Sequence, residues 1–443
     1  MRYEPFDAAF FTENRARLSA RLPRGAVAIV HSHDLITTSA DGSLPFRQNS
    51  DFFYLTGIEQ EESVLILDPS AAEVADRERL FLRETSDLIR IWEGDRLTRE
   101  QAVERSGVTR VDWTDGFEPA LRRLLRQRKT VFLNANEHPR SGAELFSRDD
   151  RFRRNLQDWY PHHRYERLAP QLHEQREIKR TPELAATREA CRITSDGFRR
   201  LLGFVRPGVT EFEIEAELLH EFLRQRSRGF AYTPIIASGA NACVLHYVEN
   251  NAVCKDGDLL LLDIAAEYAR YNADLTRTIP VNGRFTPRQR AVYEAVLRVM
   301  RLCIHELLRP GIDLRKEYQP SVGRAVEQEL LGLGLLDPAA VAEERAKDNT
   351  PEEVKEEKRL YRRYFMHGTS HSLGLDVHDV QHRNRLVKEG MVFTVEPGIY
   401  IREEGLGVRL ETEVFIGASC NEDLMPGAPI EPDEIEHLMR AGR

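Results

Sequence analysis

Compact apolar runs bounded by charged or turn residues predict buried strands in the first part of the chain. Three such runs stand at residues 26–30, 64–67 and 131–133. The pattern over residues 118–126 is instead typical of a helix. Together these elements predict an α/β domain, in which no group of residues forms an evident catalytic cluster.

A polar stretch at residues 173–180 leads from this part into a helix whose start is easy to place. Thr181 can cap that helix, and Pro182 suits its first position because the N–H that proline lacks would be unpaired there. We therefore place a boundary at about residue 176. It divides the chain into an N-terminal domain, residues 1–176, and a C-terminal domain, residues 177–443.

The C-terminal part repeats one order of sequence signals. In each half a Thr-Pro pair opens a helix and a Pro-Gly pair ends it. A glycine then stands six residues before an acid that ends an apolar strand, and a second acid follows. These positions are Thr181-Pro182, Pro207-Gly208, Gly257, Asp263 and Asp274 in the first half, and Thr286-Pro287, Pro310-Gly311, Gly390, Glu396 and Glu411 in the second. The repetition predicts two similar halves, each delivering a pair of carboxylates.

Composition and charge exclude several classes of protein. The 443 residues include 63 Lys+Arg and 72 Asp+Glu, and the resulting charge of −9 argues against a dedicated nucleic-acid binder. The longest apolar run, residues 259–262, is far too short to span a membrane, and the N-terminus does not have the pattern of a secretory signal. Five scattered cysteines predict reduced thiols in a cytoplasmic protein and no cysteine zinc site.

Asp263 and Asp274 are the first candidates for chemistry. If the residues between them turn back as a hairpin centred near residues 268 and 269, the two carboxylates lie nearly opposite each other. Two like charges that close repel unless a cation or a shared proton lies between them. The alternative is a structural aspartate that pairs with Arg277 or caps a turn.

Three histidines within twelve residues form the second candidate cluster: His367, His371 and His378. The glycine, threonine and serine between the first two make a helix unfavourable, so a loop or short strand is expected. Only one or two of the three need face the same site. The acids Asp376 and Asp379 stand beside them.

Two further acids lie on later strands. Glu396 precedes Pro397-Gly398, which ends its strand and leaves the carboxylate at a strand terminus. Glu411 shares a strand face with Arg409, and the alternative for it is a plain salt bridge with that arginine.

The whole set is two aspartates, two glutamates and one histidine. Such a carboxylate-rich set suits hard or borderline divalent ions, manganese above all, with cobalt, zinc or magnesium as alternatives. Four carboxylates exceed what one catalytic metal normally needs, whereas two ions about 3.5–4 Å apart would neutralise them. The implied chemistry is hydrolysis by a metal-bound hydroxide.

The motifs around these residues resemble those of the Xaa-Pro aminopeptidase (aminopeptidase P) family, a proline-directed branch of the pita-bread metallopeptidases. The runs that carry the resemblance are residues 46–52, 259–268, 274–278, 366–379, 394–400 and 408–411. The resemblance covers nearly the whole chain. It implies an α+β protein, with a creatinase-like α/β domain over residues 1–176 and a pita-bread catalytic domain with pseudo-two-fold symmetry over residues 177–443.

The resemblance also implies roles for individual residues. The metal ligands would be Asp263, Asp274, His371, Glu396 and Glu411, with Asp274 and Glu411 bridging two divalent ions, most simply Mn²⁺. His246 would lie on the substrate side, and His378 would hydrogen-bond the peptide or its tetrahedral intermediate. The second-sphere or substrate-pocket groups would be His367, Tyr400 and Arg409.

The function implied is release of the first residue from peptides with proline in the second position. A metal-bridging hydroxide would attack the Xaa-Pro bond, and Glu396 would pass the proton to the departing proline nitrogen. Family members commonly form dimers or tetramers, so a homodimer or homotetramer is expected, with no nucleic-acid or membrane partner.

Other members of the fold remain alternatives. Prolidase, which cuts only Xaa-Pro dipeptides, has the same metal set, and a non-catalytic pita-bread binding protein typically lacks some of the five ligands. Methionine aminopeptidase usually lacks so large an N-terminal domain. Two departures from the family pattern stand out: the charged stretch at residues 343–359, expected to be a solvated surface helix or an insertion, and Thr412 in a position where an acid is commoner.

Overall fold

The computed structural model describes residues 3–138, 141, 145–349, 355–381 and 386–442. The chain divides into two compact units, Pro5–Arg176 and Glu177–Arg443, the second of which also takes in Met1–Glu4. No helix within the described ranges is both long enough and apolar enough to cross a membrane.

The N-terminal unit is built on a six-stranded mixed sheet in the order β4-β3-β2-β1-β5-β6. The strands are β1 (Ala26–His31), β2 (Val64–Leu67), β3 (Glu78–Leu82), β4 (Arg110–Trp113), β5 (Thr130–Leu133) and β6 (Arg164–Arg167). The helices are α1 (Ala8–Ser19), α2 (Ser50–Thr56), α3 (Asp87–Glu93), α4 (Arg99–Ser106), α5 (Phe117–Gln127), α6 (Arg148–Trp159) and α7 (Ala169–Arg176). All three predicted strands and the predicted helix are confirmed.

Strand β1 lies in the middle of this sheet, antiparallel to β2 and parallel to β5. All six of its residues are buried, which explains its continuous apolar run. A core forms where β1, β2 and β5 pack against α5 and α6, through side chains such as Leu121, Leu125 and Leu156.

Among its described residues, the C-terminal unit contains six helices and four antiparallel sheets of two or three strands each. The first half holds α8 (Thr181–Phe204), α9 (Glu211–Arg224), β7 (Ile235–Ser238), β8 (Leu259–Asp263), β9 (Glu267–Tyr268), β10 (Tyr271–Asn272) and β11 (Thr276–Pro280). The second holds α10 (Pro287–Leu302), α11 (Gln319–Gly332), α12 (Pro338–Ala346), β12 (Val392–Val395), β13 (Gly398–Ile401), β14 (Leu406–Arg409), β15 (Thr412–Phe415), β16 (Glu422–Asp423) and α13 (Pro432–Ala441).

Shorter helical turns connect these elements. The 3₁₀ turns are Val74–Asp76, Thr114–Gly116, Gly239–Cys243, Glu356–Lys358, Leu360–Arg363 and Arg402–Glu404, and the π turns are Cys303–Leu307 and Leu314–Tyr318.

The repeated sequence signals correspond to repeated structure. Gly257 and Gly390 both adopt positive φ, 85° and 86°, and each turns the chain into the strand that leads to an acid. Thr286 caps α10 with Pro287 at the first helical position, as expected. The expected cap at Thr181 is wrong by one residue, because Thr181 is already the first residue of α8 and Arg180 is the N-cap. The backbone N–H of Arg180 donates to Glu183 Oε2 at 2.9 Å.

The predicted hairpin register is wrong by two residues. Asp263 pairs with Thr276 across the β8–β11 ladder, rather than with Asp274. The register is fixed by a two-residue turn at Ala269 and Arg270, whose φ angles of 51° and 72° suit the tight turn of a hairpin. Because the shift is an even number of residues, both carboxylates still belong to the same face of the ladder.

The charged stretch at residues 343–359 is described in part. Helix α12 covers its beginning, the 3₁₀ turn Glu356–Lys358 lies near its end, and residues 350–354 lie outside the described residues. Glu344 departs from the expected solvated helix, since it is buried and accepts the N–H of Leu360 at 2.9 Å.

Candidate metal centre

Three side chains from separate parts of the C-terminal unit converge on one point. Asp274 lies just before β11, Glu411 just before β15, and His371 on the segment that precedes β12. Each offers a ligand atom, and these atoms all lie within 4.8 Å of one another. His371 Nε2 is 3.4 Å from Asp274 Oδ2, and its Nδ1 is 3.1 Å from the carbonyl oxygen of Ser372, a contact that fixes the ring.

Asp263 extends this cluster through Tyr232. The Tyr232 hydroxyl lies 2.6 Å from Asp263 Oδ1 and 2.7 Å from Asp274 Oδ1. One hydroxyl has one proton and can donate to only one of the two carboxylates. The second close contact therefore fits a site in which a further positive charge, a proton or a cation, lies among these oxygens.

Glu396 completes the set at the end of β12. Its Oε1 lies 3.7 Å from His371 Nε2, and its backbone N–H donates to the carbonyl oxygen of Thr369 at 2.9 Å. Burial raises the pKa of Glu396 to about 7, an effect that the charge of His371 partly offsets. A carboxyl group with a pKa near neutrality can both accept and return a proton.

The pKa values of two other acids in the cluster are also raised. Burial, with repulsion from Asp274 and Glu396, raises the pKa of Glu411 well above its usual range. Burial also raises the pKa of Asp263, although Arg409 opposes this. A cluster of buried acids that resist ionisation is a fitting cage for divalent cations, which favour the carboxylate form. The donor set, all oxygen apart from one imidazole, suits hard or borderline ions.

A chain of hydrogen bonds supports Asp263 from behind. Arg409 Nη2 donates to Asp263 Oδ2 at 2.7 Å, and its Nη1 donates to the Tyr400 hydroxyl at 3.0 Å. That hydroxyl lies 2.8 Å from His367 Nε2. Burial, with the nearby charge of Arg409, lowers the pKa of His367 to about 3, so this imidazole is neutral at physiological pH.

Neither of the salt bridges considered as structural alternatives for these acids is formed. Arg409 pairs with Asp263 and not with Glu411, whose Oε2 accepts the hydroxyl of Thr276 at 2.7 Å. Arg277 pairs with neither aspartate, because its guanidinium donates to backbone carbonyl oxygens, including that of Glu411.

His246 and His378 are the exposed histidines of this region. The His378 ring lies 4.3 Å from that of His371 in an edge-on arrangement, so it borders the cluster. His246 is close enough to contribute to the lowered pKa of His367. The loop that carries His378 is anchored by a buried ion pair, in which Lys179 Nζ lies 2.8 Å from Asp379 Oδ2.

Sequence reasoning missed Tyr232 and Glu413. Glu413 is fully buried, accepts the Cys191 thiol at 2.7 Å and also accepts the backbone N–H of Asp274. Its signal was available, since it stands two residues after Glu411, as side chains on one face of a strand do. Tyr232 follows no recognisable motif, and only the folded chain brings it to the aspartates.

We expect Tyr232→Phe to weaken metal binding about 10- to 100-fold, because outer partners that orient ligands commonly contribute that much. Competition with a chelating dye measures the affinity. Tyr268→Phe is the matched control, since its hydroxyl accepts a backbone N–H from Glu4 outside the cluster. Equal affinities of the two variants would contradict a role for Tyr232 in orienting the aspartates.

Two family models match the chain. That of metallopeptidase family M24 covers residues 185–418, and that of the aminopeptidase P N-terminal domain covers residues 11–132. The Xaa-Pro aminopeptidase of Escherichia coli is 35% identical over 455 residues, with 98% of each chain covered. That of Haemophilus influenzae is 36% identical over 443 residues, with 97% of this chain and 96% of the relative covered.

Solved structures agree over the same extent. Zinc-substituted aminopeptidase P from E. coli, in complex with product, superimposes with a TM-score of 0.86 at 34% identity, covering 99% of this chain and 100% of that one. Aminopeptidase PepP from Pseudomonas aeruginosa does so with a TM-score of 0.87 at 31% identity, covering 99% of both chains.

Proposed function

The chain belongs to metallopeptidase family M24, in its aminopeptidase P branch, and on this premise we propose that it releases the first residue from peptides with proline in the second position. It is a metal-dependent aminopeptidase, a hydrolase. The observation that carries the proposal is the convergence of Asp274, His371 and Glu411 on one point of an M24 fold.

We propose a centre of two divalent ions, with manganese as the native metal. The residues that would hold them are Asp263, Asp274, His371, Glu396 and Glu411, with Asp274 and Glu411 shared between the ions. Four buried carboxylates carry more negative charge than one divalent ion neutralises, which supports the count of two. When bound, such ions activate water at neutral pH and polarise the scissile carbonyl group.

The protein's own side chains supply the proton transfers. Glu396, whose pKa is about 7 before metal binds, takes a proton from the attacking water at a carboxylate oxygen and delivers it to the proline nitrogen. That nitrogen carries no proton in the peptide and must gain one to leave. His378 and His246, both exposed, are proposed to hold the substrate by hydrogen bonds.

Positioning is the role proposed for His367, Tyr400 and Arg409. Because His367 is neutral, it can accept from the Tyr400 hydroxyl, which in turn accepts from Arg409. Arg409 Nη1 is thereby bound to Tyr400, while Arg409 Nη2 donates to Asp263 and holds that carboxylate in place.

The proposed specificity is tested by mass-spectrometric product analysis of Arg-Pro-Pro and Gly-Pro with manganese added. We expect free arginine from the tripeptide, and no release after chelator treatment. Cleavage of the dipeptide alone would move the assignment to prolidase. If neither is cleaved after metal reconstitution, the protein is a non-catalytic binding member of the fold.

We further propose that the enzyme acts in the cytoplasm as a homodimer or homotetramer. All five cysteines lie among the described residues and none of them forms a disulfide, which is consistent with a reducing compartment. Sedimentation equilibrium decides the assembly, and a purely monomeric protein would refute it.

A further inference from the structure

The N-terminal unit contains a cleft of about 430 Å³ that has no part in the proposed reaction. It lies where β1 ends and β2 begins, beside the first residues of α5 and α6, and all of its lining residues belong to this unit. A volume of this size is in the range of small-molecule sites. The sequence pattern gave no hint of it, because its walls come from four separate segments.

A buried histidine–aspartate pair forms one wall of this cleft. His31, only 3% exposed, places Nδ1 2.9 Å from Asp149 Oδ1, and its backbone N–H donates to the same oxygen at 3.2 Å. The ring is thereby fixed, and within the described part of the chain its Nε2 has no hydrogen-bond partner. Because the ring lines the cleft, this nitrogen is available to a bound molecule.

Two aromatic rings make the apolar walls. The ring of Phe152 lies 4.3 Å from that of His31, and the ring of Phe117 lies 6.0 Å from it. Val64 at the start of β2 also lines the cleft. The body of a ligand in contact with these groups would be an aromatic ring or a short hydrocarbon chain.

The charges around the cleft leave one cation uncompensated. Arg151 is paired with Asp34, with 2.7 Å between Nη2 and Oδ2. Glu62 is paired with Arg83, with 3.5 Å between Oε1 and Nη1. Arg148, in contrast, makes no ion pair or hydrogen bond with any residue that the structure describes. It is also the first residue of α6, where the helix dipole adds to the positive potential.

We propose that this cleft binds a small organic carboxylate with an aromatic or aliphatic body. The carboxylate would pair with Arg148, which suits a bidentate contact, and the body would pack against the rings of Phe117 and Phe152. His31 Nε2 would form a directional hydrogen bond that fixes the orientation. The cleft shares no residue with the metal centre, and its existence does not depend on the proposed activity.

The probe is 3-(4-fluorophenyl)propionate, observed by ¹⁹F NMR in titrations of the full-length protein loaded with zinc, which is diamagnetic. We expect a dissociation constant of about a millimolar, as befits so small a ligand. Arg148→Gln should raise it about tenfold or more, since the contact joins two charged groups. Arg154→Gln is the matched control: it removes the same charge from α6, and Arg154 stacks on Phe146 outside the cleft.

Two further comparisons make the test specific. The neutral 3-(4-fluorophenyl)propanamide should bind the wild type about tenfold more weakly than the propionate does. Its affinity should not fall further in Arg148→Gln, because the amide already lacks the ion pair with Arg148 that this substitution removes. Asn155→Trp, a change at an exposed position of α6 that lines the cleft, should block binding by filling it. A carboxylate held at the metal centre would persist in every variant.

Three outcomes would overturn the proposal. One is binding that Arg148→Gln and Arg154→Gln change equally, and another is an amide that binds as tightly as the acid. The third is a ¹⁹F NMR titration in which wild type and Asn155→Trp show the same binding, or none, up to about 10 mM probe.

Discussion

Glu396→Gln is expected to lower kcat for Arg-Pro-Pro by at least about 10²- to 10⁴-fold. Glutamine keeps the shape of the side chain but cannot take up and return a proton, and it is a weaker metal ligand. Because the loss falls on the chemical step, KM should change far less than kcat. The measurement is steady-state kinetics with the metal content of each preparation determined by mass spectrometry.

The metal content separates two ways in which this variant could fail. A preparation with full metal occupancy and a low kcat places the loss in proton transfer, whereas reduced occupancy shows that Glu396 acts mainly as a ligand. Glu389→Gln is the matched control, since Glu389 is exposed and lies on the loop before β12. A kcat within about tenfold of wild type at full occupancy would refute the proton-transfer role.

The sequence was sufficient for features encoded by local patterns. The apolar runs of β1, β2 and β5, the Gly257 and Gly390 turns and the two-unit architecture could all be recognised. The grouping of Asp274, His371 and Glu411 followed from the repeated pattern and the family motifs.

The errors and omissions concern strand register and the contacts that folding makes between different segments of the chain. The β8–β11 register depends on left-handed conformations at Ala269 and Arg270, for which neither residue type is a signal. The pairing of Arg409 with Asp263 rather than Glu411 depends on which strands meet, and so does the approach of Tyr232 to two aspartates. The cleft beside His31 is similar: each wall alone is an ordinary segment of an α/β domain.

The metal-free enzyme is expected to lose stability as pH rises from about 5 to about 7.5. The buried acids Asp263, Glu396, Glu411 and Glu413 all have a raised pKa in the folded chain. Between the usual carboxyl pKa and these raised values the folded state binds more protons than the unfolded state, so stability falls with increasing pH. For Glu396, whose pKa rises from 4.5 to about 7, the effect is of the order of 3 kcal/mol.

Bound metal should reverse this trend, because divalent ions replace the protons and favour the ionised carboxylates. Thermal unfolding followed by circular dichroism, with manganese or with chelator, therefore should show a gap in Tm that widens from pH 5.5 to pH 7.5. The trend is distinctive: acids held by ordinary salt bridges have a lowered pKa, so their contribution to stability is complete above about pH 5 and would stay constant over the same range.

Glu411→Gln provides the decisive variant for this prediction. It removes one buried acid, so the chelated variant should be more stable than chelated wild type at pH 7.5 and should show a shallower dependence on pH, while binding metal more weakly. Glu389→Gln should keep the wild-type slope. If chelated Glu411→Gln and wild type lose stability in parallel, the titration arises elsewhere in the chain. The predicted pattern would mean that the acids of this centre are held together in the folded chain against their own repulsion, with the cations contributing both the chemistry and a large part of the local stability.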